Sequence, residues 1–173
     1  MPDAVQVRTL HVVGEREIQE LSDVLIDCVE GGASVSFMLP IARATAVAFW
    51  RSVAASALRQ ERILIVAQNG AGRIDGCVQI IFAQVENQPH RADIAKMLVH
   101  RRARRRGMGA ALLAAAERCA RSAGKTLLVL DTANGDAERL YAKLGWQRCG
   151  VIPGYALLPG GGLCDTTFFY RTL

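Results

Sequence analysis

Arg104, Gly107 and Gly109 write R-x-x-G-x-G inside the stretch from Arg91 to Leu113, RADIAKMLVHRRARRRGMGAALL. Glycines carry no Cβ, so the main chain can approach a ligand closely there. A helix beginning at that point turns its unpaired N–H groups and the positive end of its dipole toward the same space. Such a place suits paired phosphates. Placing it requires a strand before the loop and a helix after it. Ile94, Met97 and Val99 make an apolar run suited to a buried strand, and Ala110 to Ala116 opens a strong helix former.

Two common phosphate motifs fail on this loop. A dinucleotide fingerprint needs a third glycine where Leu112 stands. A P-loop ending in Gly124, Lys125 and Thr126 would put its first glycine at Cys119, and that tripeptide precedes a strand instead of following one. R-x-x-G-x-G after a strand resembles the acetyl-coenzyme A loop of the GCN5-related N-acetyltransferases (GNAT). A second segment, NGDAERLYAKLGW, is similar to that family's N-x-x-A-x-x-x-Y-x-x-x-G-[FW], through Asn134, Ala137, Tyr141, Gly145 and Trp146. Seven residues are close to two helical turns, so groups near the helix start and on its second turn share a face. Beyond the superfamily, GGASVSFM, the LDT of Leu130 to Thr132 and the PGY of Pro153 to Tyr155 resemble the tabtoxin resistance acetyltransferase and its relatives. Arg101 departs from the proline common in the superfamily and makes the loop more basic.

The resemblance implies roles position by position. Met97, Leu98 and Val99 lie beside the pantetheine and acetyl group, offering backbone groups as an extra strand would, and one N–H polarises the thioester carbonyl. Arg104, Arg105, Arg106, Gly107, Met108, Gly109 and Ala110 are the loop's coenzyme-binding residues, those from Arg105 on wrapping the diphosphate with main-chain N–H groups. Asn134 helps hold the pantetheine arm, and the Tyr141 hydroxyl protonates the departing thiolate. The acceptor must be an unprotonated amine, because an ammonium has no lone pair. Asp93 and Asp131 are candidates to bind that ammonium and relay its proton through water. A carboxylate with pKa about 4 is a poor base for an amine near about 10, so orientation and desolvation must supply much of the effect. Phe37, Met38 and Tyr155 join the two aspartates as candidate acceptor-site residues. The blander readings stay open: Tyr141 as a packed helix aromatic, the aspartates as surface groups or arginine partners, Phe37 and Met38 as a staple between helices.

Around these residues the chain of 173 predicts one domain with enough apolar sequence, 51%, for a sizeable core. The expected order is a strand over Val5–Val13, helices over Glu15–Val29 and Ile41–Leu58, and strands over Ile63–Ala67, Gly76–Val85 and from Arg91. After the loop come a helix to about residue 123, a strand Thr126–Asp131, a helix Asp136–Leu144, and strands over Trp146–Ile152 and Thr166–Arg171. The fold class is mixed α/β, a mostly antiparallel sheet of about seven strands with four helices on both faces, as the family resemblance implies.

Five scattered cysteines with no C-x-x-C pair read as idle thiols in a reducing, cytoplasmic setting, and three histidines without ligand spacing argue against a metal. The N-terminus has no signal-peptide pattern, and no apolar run approaches the ~20 residues of a membrane helix. Five arginines between Arg101 and Arg106, with a net charge of +5, also fit a nucleic-acid surface, but no aromatic residues interleave them. The favoured partner is a small-molecule amine, such as an amino-acid-like toxin, because Gly31–Met38 and Pro153–Gly162 can close over a pocket; a protein N-terminus or lysine is the alternative. Monomer and homodimer stay equally open.

Overall fold

A computed structural model describes residues 5–173. Seven strands and four helices follow the expected order: β1 (Gln6–Leu10), α1 (Glu15–Glu30), α2 (Arg43–Leu58), β2 (Arg62–Gln68), β3 (Ile74–Phe82), β4 (Arg91–Val99), α3 (Met108–Ser122), β5 (Leu127–Thr132), α4 (Gly135–Lys143), β6 (Gln147–Leu157) and β7 (Leu163–Thr172). The sheet order is β1-β2-β3-β4-β5-β7-β6. Every neighbouring pair is antiparallel except β4 and β5, which run parallel.

Strand alternation sends side chains to two separate cores. On β2, Leu64 and Val66 face one cluster with Leu21, Leu25 and Trp50, which come from α1 and α2. Ile65 and Ala67 face the other, with Leu112 and Leu113 from α3 and Tyr141 from α4. In α1 the buried Ile18, Leu21, Leu25 and Cys28 recur at helical spacing, and Glu17 accepts the Gly14 N–H at 3.1 Å to close the first turn. Helices α1 and α2 thus cover one face of the sheet, and α3 and α4 cover the other.

Two irregularities shape the middle of the sheet. The parallel pairing of β4 with β5 covers only Arg91–Asp93 against Leu127–Val129, after which β4 stays on β3 and β5 stays on β7. The two strands part into a wedge. Just beyond, β4 carries a bulge: Cys77 pairs with Leu98 and Gln79 with Ala95, so Lys96 and Met97 together oppose Val78. The extra residue reverses the alternation. Ala92 and Ile94 face the α3 side, but past the bulge it is Met97 and Val99 that do so, while Leu98 joins the α1 and α2 core.

The structure departs from the sequence expectation at several ends. Strand β1 stops at Leu10, and Val12 lies exposed in the following loop. Helix α2 starts at Arg43 because Ala42 is extended. The last two strands form a longer hairpin than expected, with β6 continuing to Leu157 through an irregularity between Ile152 and Ala156. Most of β6 is exposed, so no apolar alternation marks its length. Among the described residues, no helix is long and apolar enough to cross a membrane.

Candidate active site

The glycine loop begins where β4 ends. Its first turn, Arg101–Ala103, is held down by its own arginines. Arg101 sends its N–H to Asp27 at 2.8 Å and its guanidinium to the same carboxylate at 2.9 Å. Arg102 caps the buried Asp75 carboxylate at 2.8 Å, and Arg104 donates to the Val99 carbonyl at 3.0 Å. Arg105 and Arg106 are exposed and form no ion pair among the described residues. Three of the five arginines thus have partners within the protein that fix the loop. Partial burial pushes the Asp27 carboxyl up, but the Arg101 N–H, its guanidinium and His100 outweigh that and hold it below the usual carboxylate range.

Arg105 and Gly107 both adopt positive φ, 60° and 78°, and α3 starts immediately after. The N–H groups of Met108, Gly109 and Ala110, at the head of the helix, have no partner within it. The two glycines have different reasons to be there. Gly107 is required by its left-handed backbone, and a Cβ on it would meet nothing within 4 Å. At Gly109 a Cβ would stand 3.1 Å from Leu140 Cδ2 and 3.8 Å from Met97, so this glycine lets β4, α3 and α4 converge. An open, N–H-rich cradle beside a parted strand pair fits a diphosphate with a pantetheine arm.

Asn134 is the N-cap of α4: its Oδ1 accepts the N–H groups of Asp136 at 2.8 Å and Ala137 at 3.2 Å. Only its amide NH2 is left for another partner. Tyr141 is 4% exposed, with its ring 5.9 Å from that of Trp146 and 5.7 Å from that of Phe169. The packed-aromatic reading is thus true of the ring, and a role for the hydroxyl is compatible with it. Burial, and then the negative charge of Asp131, push the phenol well above its ordinary pKa, so its hydroxyl keeps its proton at neutral pH.

The other side of the wedge carries the remaining candidates. On β5, Leu128 and Leu130 enter the α3-side core, so Val129 and Asp131 face the α1 and α2 side. Asp131 is exposed at the strand end and accepts the Thr166 hydroxyl at 2.8 Å. Asp93 shares that face through the same alternation and is paired with Arg91 at 2.7 Å. Tyr155, half exposed, sets its ring edge-on to Phe168, which lies opposite Asp131 in register. Phe37 packs edge-on against Phe49 at 5.2 Å, while Met38 is 45% exposed. The loop holding them is clasped to the β6–β7 hairpin. Leu39 N–H donates to the Pro159 carbonyl at 2.9 Å, the Ser34 hydroxyl to the Leu157 carbonyl at 3.0 Å, and the Cys164 thiol to Ser34 Oγ at 3.6 Å.

Sequence reasoning misses one charged group on this face. Lys96, at the bulge, donates to Ser36 Oγ at 3.0 Å and lies 5.7 Å from the centre of the Phe49 ring. Its one signal is a lone lysine within an otherwise apolar strand, IAKMLV. An open cleft of about 460 Å³ between α4 and the β6–β7 hairpin, lined by Ala133, Glu138, Arg148 and Asp165, contains none of the predicted site residues.

A family profile for the acetyltransferase (GNAT) domain matches residues 59–148, just over half the chain. The chain belongs to the GNAT acetyltransferase family. It is an acetyl-CoA-dependent N-acetyltransferase. Solved structures of this GNAT fold superpose over nearly its whole length. A protein of Salmonella typhimurium, yncA, assigned as an acetyltransferase and solved with its cofactor acetyl-CoA, is 18% identical with a TM-score of 0.79, covering 99% of this chain and 95% of that one. A protein assigned as a phosphinothricin N-acetyltransferase is 18% identical with a TM-score of 0.77, covering 98% and 99%. The ribosomal-protein-alanine N-acetyltransferase of Brucella melitensis is 22% identical with a TM-score of 0.78, covering 97% and 99%.

Proposed function

We propose that this GNAT enzyme acetylates the primary amine of a small molecule, of the amino-acid-like kind met among toxins and antibiotics, by direct attack in a ternary complex. The observation that carries this reading is the clasp between the α1–α2 loop and the β6–β7 hairpin, on the side of the sheet that bears Asp93 and Asp131. A peptide acceptor needs an open groove there, and a small charged molecule needs an enclosure. The tabtoxin-resistance likeness of GGASVSFM, LDT and PGY supports it too, because GGASVSFM lies in the clasped loop, LDT ends β5 and PGY lies on β6.

Acetyl-CoA supplies an acetyl thioester when bound. In the proposed arrangement, Arg105, Arg106 and the N–H groups from Gly107 to Ala110 hold its diphosphate, with Arg104 bracing the loop against Val99. Backbone groups of Met97, Leu98 and Val99, on the strand edge freed by the wedge, line the arm; one N–H there polarises the thioester carbonyl. The Asn134 amide NH2 adds a donor. Asp131 and Asp93 orient the acceptor ammonium and pass its proton to water, and Tyr141 gives its own proton to the leaving thiolate.

The test is a screen for coenzyme A release with amino acids, polyamines, aminoglycosides and short peptides as acceptors. Small amines should be turned over well above the peptides. Preference for peptide N-termini or lysines would move the enzyme to the protein-modifying class.

A further inference from the structure

C-terminal to Asp93, the only charged residue of β4 is Lys96. The bulge delivers it, in a left-handed conformation (φ 48°) that a non-glycine residue rarely adopts, to the clasped face of the sheet. Its ammonium is held by Ser36 of the α1–α2 loop and by the face of Phe49 on α2. No carboxylate lies within 4 Å of it among the described residues, although it feels the charge of Asp131 across the wedge. Burial disfavours its charged form and Asp131 favours it.

A second unmatched donor shares this face. Gln79 is fully buried and pairs across from Ala95, the residue next to Lys96. Arg62 donates to Gln79 Oε1 at 2.8 Å, and Gln79 Nε2 has no partner. A buried amide donor without an acceptor is costly, and so is a half-buried ammonium with no counter-ion. An anionic oxygen group supplies the counter-ion that Lys96 lacks, whereas Gln79 Nε2, with no exposed surface, is closed to a ligand. Opposite them, the Asp131 carboxylate offers the complementary site for a cation.

We propose that Lys96 is the anchor for an anionic group carried by the acceptor itself, a carboxylate in the simplest case, so that the natural substrate is a zwitterion with its ammonium toward Asp131 and its anion toward Lys96. This rests on the acetyl-transfer reading and narrows its substrate class. The strained backbone at residue 96 then has a purpose: it sets the ammonium at a fixed distance from the wedge. Lys96 touches substrate but no reacting atom, so it governs which amines bind and leaves the chemistry to other groups.

The test compares amines in matched pairs: L-amino acids, their carboxamides and their aminophosphonate analogues, each assayed for coenzyme A release with the wild type, Lys96→Met and Lys96→Arg. The wild type should prefer the acids over the amides by about tenfold or more in kcat/KM, mostly through KM. In Lys96→Met that ratio should fall to within about threefold, while Lys96→Arg should keep a good part of it because it retains the charge. Acetyl-CoA affinity should move less than about twofold in either variant, since the residue lies on the far face of the sheet from the phosphate loop. A stronger preference for the phosphonates would identify the anion as a phosphonate, with the anchor intact. Equal use of acids and amides by the wild type overturns the proposal without any variant. So does a Lys96→Met enzyme that keeps the ratio, or loses acids and amides alike. If no acid is acetylated while acetyl-CoA still raises Tm, the anchor is wrong and the coenzyme assignment stands; if acetyl-CoA gives no stabilisation, the failure lies with the acetyl-transfer reading.

Discussion

The two faces of the sheet carry candidate sites of different make. On the α3 side the candidate coenzyme site is mostly main chain: helix N–H groups, a left-handed Gly107, a strand edge freed where β4 and β5 part, and a helix N-cap. On the α1 and α2 side the candidate acceptor site is made of side chains, Asp93, Lys96 and Asp131, with a loop on the same side tied to the β6–β7 hairpin by bonds between residues more than a hundred apart in sequence. Backbone recognition tolerates exchange of most side chains around it, whereas side-chain recognition changes with each substitution. A fold used this way keeps one cosubstrate and can vary its acceptor.

That contrast can be broken experimentally. The largest effect should come from Arg102→Ala, which leaves the buried Asp75 carboxylate with only Asn69 as a side-chain donor; a loss of about 2–4 kcal/mol in denaturant stability is expected. If stability holds and acetyl-CoA affinity falls instead, Arg102 belongs to the ligand site.

Next in size, Tyr141→Phe should lower kcat by about tenfold or more with acetyl-CoA affinity within about twofold. Because burial raises the phenol's pKa, its neutral form persists above the ordinary value; the wild-type kcat should show no alkaline fall from this group up to pH of about 10. Unchanged turnover in the variant would remove Tyr141 from the chemistry.

Asp131→Asn should cut kcat/KM for the acceptor by about tenfold and leave calorimetric acetyl-CoA binding in place. An equal loss of coenzyme affinity would mean that the two faces are not independent. Smallest, Arg105→Ala should weaken acetyl-CoA by about threefold, with the deficit shrinking at high salt because the arginine is exposed. Insensitivity of binding to both the substitution and salt would leave the main-chain cradle as the whole phosphate site.

What could be read from the sequence follows the same division. The coenzyme face is legible because its determinants are local: a strand, R-x-x-G-x-G, a helix, and Asn134 placed to cap α4. Helix boundaries come within about two residues for the same reason. The arginine run misleads because its partners, Asp27, Asp75 and the Val99 carbonyl, are brought there by the fold, two of them from distant helix and strand positions. The orientation of Lys96 cannot be read because one extra residue in a strand leaves the composition of IAKMLV intact while changing which way each side chain points. Two glycine-bearing segments hint at the clasp, yet no local pattern could pair Leu39 with Pro159.

The half-step in β4 lets a single strand turn Met97 to one side of the sheet and Lys96 to the other. Were its pleat regular throughout, a lysine would turn into the oily layer beneath α3 and a methionine toward the α1 and α2 side. Point changes around Lys96 leave the other face as it is, but any frame slip in these few residues would disturb both candidate sites at once.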